Sequence, residues 1–130
     1  MDKIKVLIAD DHRVVREGLA AILKTKEDLH IVGEAQDGME AVEKAKALVP
    51  DVILMDVSMP RMGGVEATRQ IKREFPHIGI VALTMYEEQQ YIFDLVRAGA
   101  TGYLLKDSES SQIVAAIRAI YRGESLIHPS

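Results

Sequence analysis

DVILMDVSMPRMGG, residues 51–64, runs through four apolar side chains, Val52 to Met55, into a single carboxylate, Asp56, and then breaks at a proline and two glycines. Apolar residues in continuous rather than alternating order suit a strand covered on both faces, as in a parallel sheet. The pattern recurs outward in both directions. Apolar runs at 4–9, 31–35, 78–83 and 102–105 are each followed by a polar residue, and with 52–55 they predict five strands. Between them the apolar period lengthens to 3.6 residues, predicting helices over 13–24, 39–48, 65–74, 88–98 and 112–122. Val15, Leu19, Ile22 and Leu23 form the inner stripe of the first helix, and Ile113, Ala116, Ile117, Ile120 and Tyr121 that of the last.

Pro50 and Pro76 follow the second and third helices, and Gly99 and Gly123 stand just past the fourth and fifth, where helices commonly stop. Gly18, inside the first helix, suggests close packing against a neighbour. Strict strand-helix alternation with short connections predicts an α/β doubly wound fold, a parallel sheet between two helical layers. At 130 residues the chain makes one ordinary domain. It is assigned to residues 1–122; 123–130, GESLIHPS, lose periodicity and read as the start of a linker or a frayed end.

Composition removes several function classes. With no cysteine, the chain forms no disulfide scaffold, zinc ribbon, iron-sulfur centre or thiol nucleophile. A net charge of −4 argues against DNA binding by this segment alone. No apolar run approaches the roughly 20 residues of a membrane helix, and acidic residues bracket the N-terminal run where a secretory signal would stand. The cytoplasm is the expected compartment.

In a parallel wound sheet the carboxyl ends of the strands share one edge, and ligands bind there. Strand one delivers Asp10 and Asp11 to that edge, strand three Asp56, strand four Thr84 and strand five Lys106; Gln36 and Asp37 after strand two are less telling. Three converging carboxylates repel one another unless a cation joins them. Mg2+ suits oxygen ligands shared with a phosphate, with Mn2+ as an alternative. With Lys106 to complete the neutralisation and Thr84 to bond a phosphoryl oxygen, Asp56 becomes a candidate nucleophile that forms an aspartyl phosphate. Taken singly, each aspartate reads as a helix cap, Thr84 as a strand-end hydroxyl and Lys106 as a surface charge; their joint placement carries the functional reading. His12, without a partner at ligand spacing, reads as an exposed first-turn residue. Met55, Met59, Met62 and Met85 read as packing or as lining the loops, with no cofactor implied, and KREF at 72–75 as a solvated helix face. The glycines of RMGG, residues 61–64, are an ordinary turn or make room for a phosphate.

VLIADDH with VVREGL, DVILMDVSMPRMGG, IVALT and AGATGYLLKD resemble, over nearly the whole chain, the receiver domain of bacterial two-component response regulators. The resemblance implies a flavodoxin-like (βα)5 sandwich with strand order 2-1-3-4-5. It makes Asp56 the phosphoacceptor, Asp11 a direct Mg2+ ligand, Asp10 a ligand through water, and Ser58 the donor of a backbone carbonyl. Pro60 and Gly64 belong to the loop beside the acceptor. Thr84 and Lys106 bind the phosphoryl group, and Tyr103 turns inward where Thr84 has moved. The implied donor is a phosphohistidine on a sensor histidine kinase, so the chain is not an enzyme in the usual sense but assists its own phosphorylation. Phosphorylation is expected to drive homodimerisation through the fourth helix, fifth strand and fifth helix, or through the first and fifth helices. VREGL, GYLLKD and IRAIYRGESLIHPS are similar to the NarL/FixJ subfamily, whose members continue into a LuxR-type helix-turn-helix domain that binds DNA. One departure concerns Asp107, which stands where many receivers place a proline and a cis peptide.

Three other readings compete. A haloacid-dehalogenase-type phosphohydrolase needs a second aspartate two residues after the nucleophile, where Ser58 stands. A flavin-binding flavodoxin has its phosphate loop after strand one, where Asp10 and Asp11 stand. A stand-alone receiver acting by protein contact alone has the same site.

Overall fold

A computed structural model describes residues 3–85 and 89–126, with only the backbone described at 89–91. The elements alternate as β1 (Ile4–Ala9), α1 (Arg13–Leu23), β2 (Leu29–Ala35), α2 (Gly38–Leu48), β3 (Val52–Asp56), α3 (Gly64–Glu74), β4 (Gly79–Thr84), α4 (Gln89–Ala98), β5 (Gly102–Leu105) and α5 (Ser110–Tyr121). The strands form one sheet in the order β2-β1-β3-β4-β5, and every neighbouring pair is parallel. This is the flavodoxin-like wound sheet.

The apolar strand runs alternate between two cores because successive side chains leave opposite faces of a strand. Val6, Ile8, Val52 and Leu54 meet Ala20 and Leu23 of α1 and Ile113, Ile117 and Ile120 of α5. Leu7, Ala9, Ile53 and Met55 meet Ala41 and Ala45 of α2 and Ala67 and Ile71 of α3. Leu95 of α4 packs near Val57 and Ala82 on the α3 side. The central strands β1, β3 and β4 are thus covered on both faces, whereas edge strand β2 is only half-buried through its middle.

Element ends differ from the sequence reading where backbone pairing overrules side-chain polarity. β3 includes Asp56, paired with Leu83, and β4 includes Thr84, paired with Leu105, so both polar groups stand on the last rung of the ladder. β2 begins two residues early because Leu29 pairs with Ile4, across the polar His30 that interrupts the apolar run. α5 starts at Ser110, its entry fixed by Gln112, whose side chain accepts from the Glu109 amide at 3.0 Å. Glu88, the expected first residue of α4, lies outside the described residues. Gly99 and Gly123 hold φ of 99° and 91°, the left-handed conformation that ends a helix.

Several packing expectations are corrected. A Cβ at Gly18 would meet nothing within 4 Å, so no neighbour explains this glycine. Ile22 and Tyr121, placed on the inner stripes, are 40% and 45% exposed, since each stands at the rim of its helix's covered face. The methionines divide between the two expected roles: Met55, Met59 and Met62 lie in or against the α2–α3 core, and Met85 is exposed just after β4. Lys72 of the KREF segment is not a freely solvated charge. Its ammonium donates to the carbonyls of Pro76 and Ile78 at 2.7 and 2.9 Å, and burial lowers its pKa. The segment after α5 also packs. Leu126 donates its amide to Thr101 at 2.9 Å and joins the α1–α5 core, so the packed unit extends past 122 to at least Leu126.

Candidate functional site

The sheet delivers Asp10, Asp56, Thr84 and Lys106 to the same carboxyl edge, because β1, β3, β4 and β5 are adjacent and parallel. Asp10, Asp56 and Thr84 are 1–2% exposed, an unusual burial for two carboxylates. The Lys106 ammonium reaches between them, 3.0 Å from Asp10 Oδ2 and 3.2 Å from Asp56 Oδ2. Its own backbone amide donates to Thr84 O at 2.9 Å, which fixes β5 beside β4. Asp11, half-buried at the rim, faces the same space.

One lysine does not satisfy this set. Asp10 Oδ2, Asp11 Oδ1 and Asp56 Oδ2 are enclosed by the protein yet make no hydrogen bond, Lys106 standing at ion-pair distance from two of them without hydrogen-bond alignment. Unmet carboxylate oxygens at this density suit a hard divalent cation. Carboxylate oxygens of Asp10, Asp11 and Asp56 and a ring nitrogen of His12 all lie within 4.8 Å of one another. Burial raises the pKa of Asp56 to about 6, and the charge of Asp10 adds to the effect while Lys106 opposes it. Burial works against the charge on Lys106, but the pull of Asp10 and Asp56 prevails and its pKa is raised. A charged lysine therefore faces carboxylates poised to accept a further cation.

The loop after β3 is held close to the acceptor. Ser58 is exposed, and its amide points at Asp56 Oδ1 from 3.4 Å. Pro60 is exposed on the same loop. At Gly64 a Cβ would stand 2.1 Å from the Asp56 carbonyl oxygen, so glycine is required by the close return of the loop over β3. The second glycine of RMGG thus serves the packing of the acceptor strand.

Sequence reasoning passed over three supports. Asp37, dismissed as less telling, is buried, caps α2 by accepting from Glu40 N at 2.8 Å, and pairs with Arg61, whose φ of 62° turns it back toward α2. These bonds, foremost the Glu40 amide, lower the pKa of Asp37. Gly38 N donates to Met62 O at 2.9 Å, a second tie between α2 and the acceptor loop. Arg16 of α1 donates to the Asp10 carbonyl at 2.7 Å and to Glu34 of β2 at 3.3 Å, bracing the acidic loop from behind. The signals were present: an Asp before a Gly-initiated helix, and an arginine within two turns of an acidic pair. Their partners are 24 and 18 residues distant in sequence and were not legible. Tyr103 is half-buried beside the α3–α4 core, and the peptide joining Lys106 to Asp107 is trans.

Comparison with known proteins agrees with the geometry. Residues 6–118 match the response regulator receiver domain. The chain is 46% identical over 125 residues to the uncharacterized transcriptional regulatory protein YxjL of Bacillus subtilis, covering 96% of this chain and 57% of that one. A LuxR-family two-component response regulator from Aurantimonas sp. SI85-9A1 superposes with a TM-score of 0.91 at 33% identity, covering 98% of this chain and 91% of that one. The signal receiver domain of NarL from Mycobacterium tuberculosis gives 0.90 at 34% identity, covering 95% and 100%. The chain belongs to the response regulator receiver family. Within that family it is a receiver domain of the NarL/FixJ type. It spans 57–60% of the length of curated relatives such as YxjL and VraR. Receiver domains in general bind Mg2+, and no described helix is long and apolar enough to cross a membrane.

Proposed function

We propose that this chain accepts a phosphoryl group on Asp56 from a phosphohistidine of a sensor histidine kinase and relays its presence as a change of conformation. The observation that carries this reading is the buried Asp56 carboxylate, 3.2 Å from the Lys106 ammonium and with an oxygen that makes no hydrogen bond. Asp56 Oδ attacks phosphorus as the phosphorus-nitrogen bond of the donor breaks, and the leaving imidazole keeps the electron pair and takes up a proton. Asp11, Asp56 and the Ser58 carbonyl would hold Mg2+ or Mn2+, with Asp10 acting through water. The cation supplies charge neutralisation for the transferring oxygens. Lys106 pairs with the new phosphoryl group and Thr84 donates to it.

Movement of Thr84 leaves room for Tyr103, so the α4–β5–α5 face of the phosphorylated state differs from that of the resting state. Phe93 and Val96 of α4 are 58% and 47% exposed, apolar surface suited to self-association on that face. Output is assigned to a DNA-binding domain beyond this segment, reached through a linker that starts past Leu126, in a cytoplasmic transcription regulator. The test is intact mass after incubation with Mg2+ and a small phosphoryl donor. A gain of about 80 Da that requires both Mg2+ and Asp56 is expected, and no gain with either a small donor or a phosphorylated kinase domain refutes the reading.

A further inference from the structure

His12 does not behave as the bystander its sequence context suggests. Its ring is 66% exposed, yet Nδ1 turns inward to stand 3.1 Å from Asp11 Oδ1 and 3.3 Å from Asp10 Oδ1. One nitrogen carries at most one proton, so at most one of those contacts is a hydrogen bond in the neutral ring. The shorter contact, to Asp11 Oδ1, is not aligned as one, and that oxygen makes no other hydrogen bond. His12 also caps nothing: it stands at the N-cap of α1 without a side-chain bond to the helix amides. A second, independent feature lies behind this corner. Asp10 Oδ2 and Asp56 Oδ2 belong to residues only 1% and 2% exposed and make no hydrogen bond.

The spacing is that of ligands around one ion. Two donors at right angles on a metal with bonds of about 2.1 Å are about 3.0 Å apart, and at the tetrahedral angle about 3.4 Å. Both separations at Nδ1 fall between those figures. The ring is exposed on its outer side, so the proton can sit on Nε2, and Nδ1 then exchanges its contact with Asp10 Oδ1 at 3.3 Å for a bond from its lone pair to the metal. A nitrogen beside oxygens changes which ion the site prefers. Mg2+ gains little from imidazole, whereas Co2+ and Zn2+ bind it well.

Resting on the reading of the acidic edge as a divalent-cation site, we infer that His12 Nδ1 is a further ligand of that site and tunes it toward the ions that favour imidazole, Co2+ and Zn2+. Such an ion, held by Asp11, His12 and the neighbouring carboxylates, competes with Mg2+ for the acceptor edge.

Co2+ is the probe, because its visible absorption reports donor type and geometry directly. Metal-free protein is titrated separately with Co2+ and Mg2+, as wild type, His12→Ala and His12→Asn, with affinity and the Co2+ spectrum as readouts. The asparagine variant supplies a good N-cap residue while removing the imidazole, and circular dichroism checks both folds. The expected result is a loss of about tenfold or more in Co2+ affinity and an altered spectrum in both variants, with Mg2+ affinity within about threefold of wild type. Unchanged Co2+ affinity and spectrum in both variants overturn the inference while leaving the Mg2+ site standing. Failure of the wild type to bind either ion overturns the inference together with the reading beneath it.

Discussion

Asp56→Asn should make the metal-free protein more stable, although it removes the residue on which the proposed activity depends. The carboxyl group is 2% exposed, and burial together with the charge of Asp10 raises its pKa from 3.8 to about 6. Below pH 4 the group is protonated in both the folded and the unfolded chain and contributes nothing. As pH rises through 4 the unfolded chain ionises while the folded one resists, so stability falls until the folded group has also ionised above about 6. A displacement of about two pKa units corresponds to about 3 kcal/mol at pH 7.5. Asparagine at 56 is free of this penalty.

Urea unfolding in EDTA provides the assay. With a denaturant slope of about 2 kcal/mol per molar, the midpoint of Asp56→Asn should lie about 1.5 M above wild type at pH 7.5. The gap should close as pH falls from 6 to 4, and Mg2+ should narrow it at pH 7.5 by binding the folded wild type. Equal or lower stability of the variant at pH 7.5, or a gap that stays constant between pH 4 and 7.5, refutes the argument that the resting site is electrostatically strained.

Gly64→Ala places a Cβ 2.1 Å from the Asp56 carbonyl oxygen, so a loss of about 2 kcal/mol or more in urea unfolding is expected together with slower phosphoryl uptake by intact mass. Arg16→Met keeps the apolar stem but removes the donor to Asp10 O; stability should fall by about 1–2 kcal/mol and Mg2+ should bind more weakly by calorimetric titration. Val49, a β-branched residue held at φ 42° after α2, is strained, and Val49→Gly should raise the thermal midpoint, with a net gain of about 0.5–1 kcal/mol.

The period of the apolar pattern was enough to establish five strand-helix units, because continuous apolar runs and 3.6-residue stripes report burial of a kind that local backbone geometry dictates. It was also enough to place Asp10, Asp11, Asp56, Thr84 and Lys106 at strand ends, since parallel strands send all those ends to one edge. Strand order entered by resemblance, as nothing in the spacing says which strands are neighbours. Tertiary structure alone decided what depends on distant partners. Asp37 finds Arg61 and Arg16 finds Glu34 only once the chain is folded. The same holds for the emptiness beside Gly18 and the docking of Leu126, which no periodicity encodes. Local pattern reports which residues want burial. Which polar atoms they enclose, and how strongly those atoms then repel or attract, is settled by contacts between segments far apart in the chain.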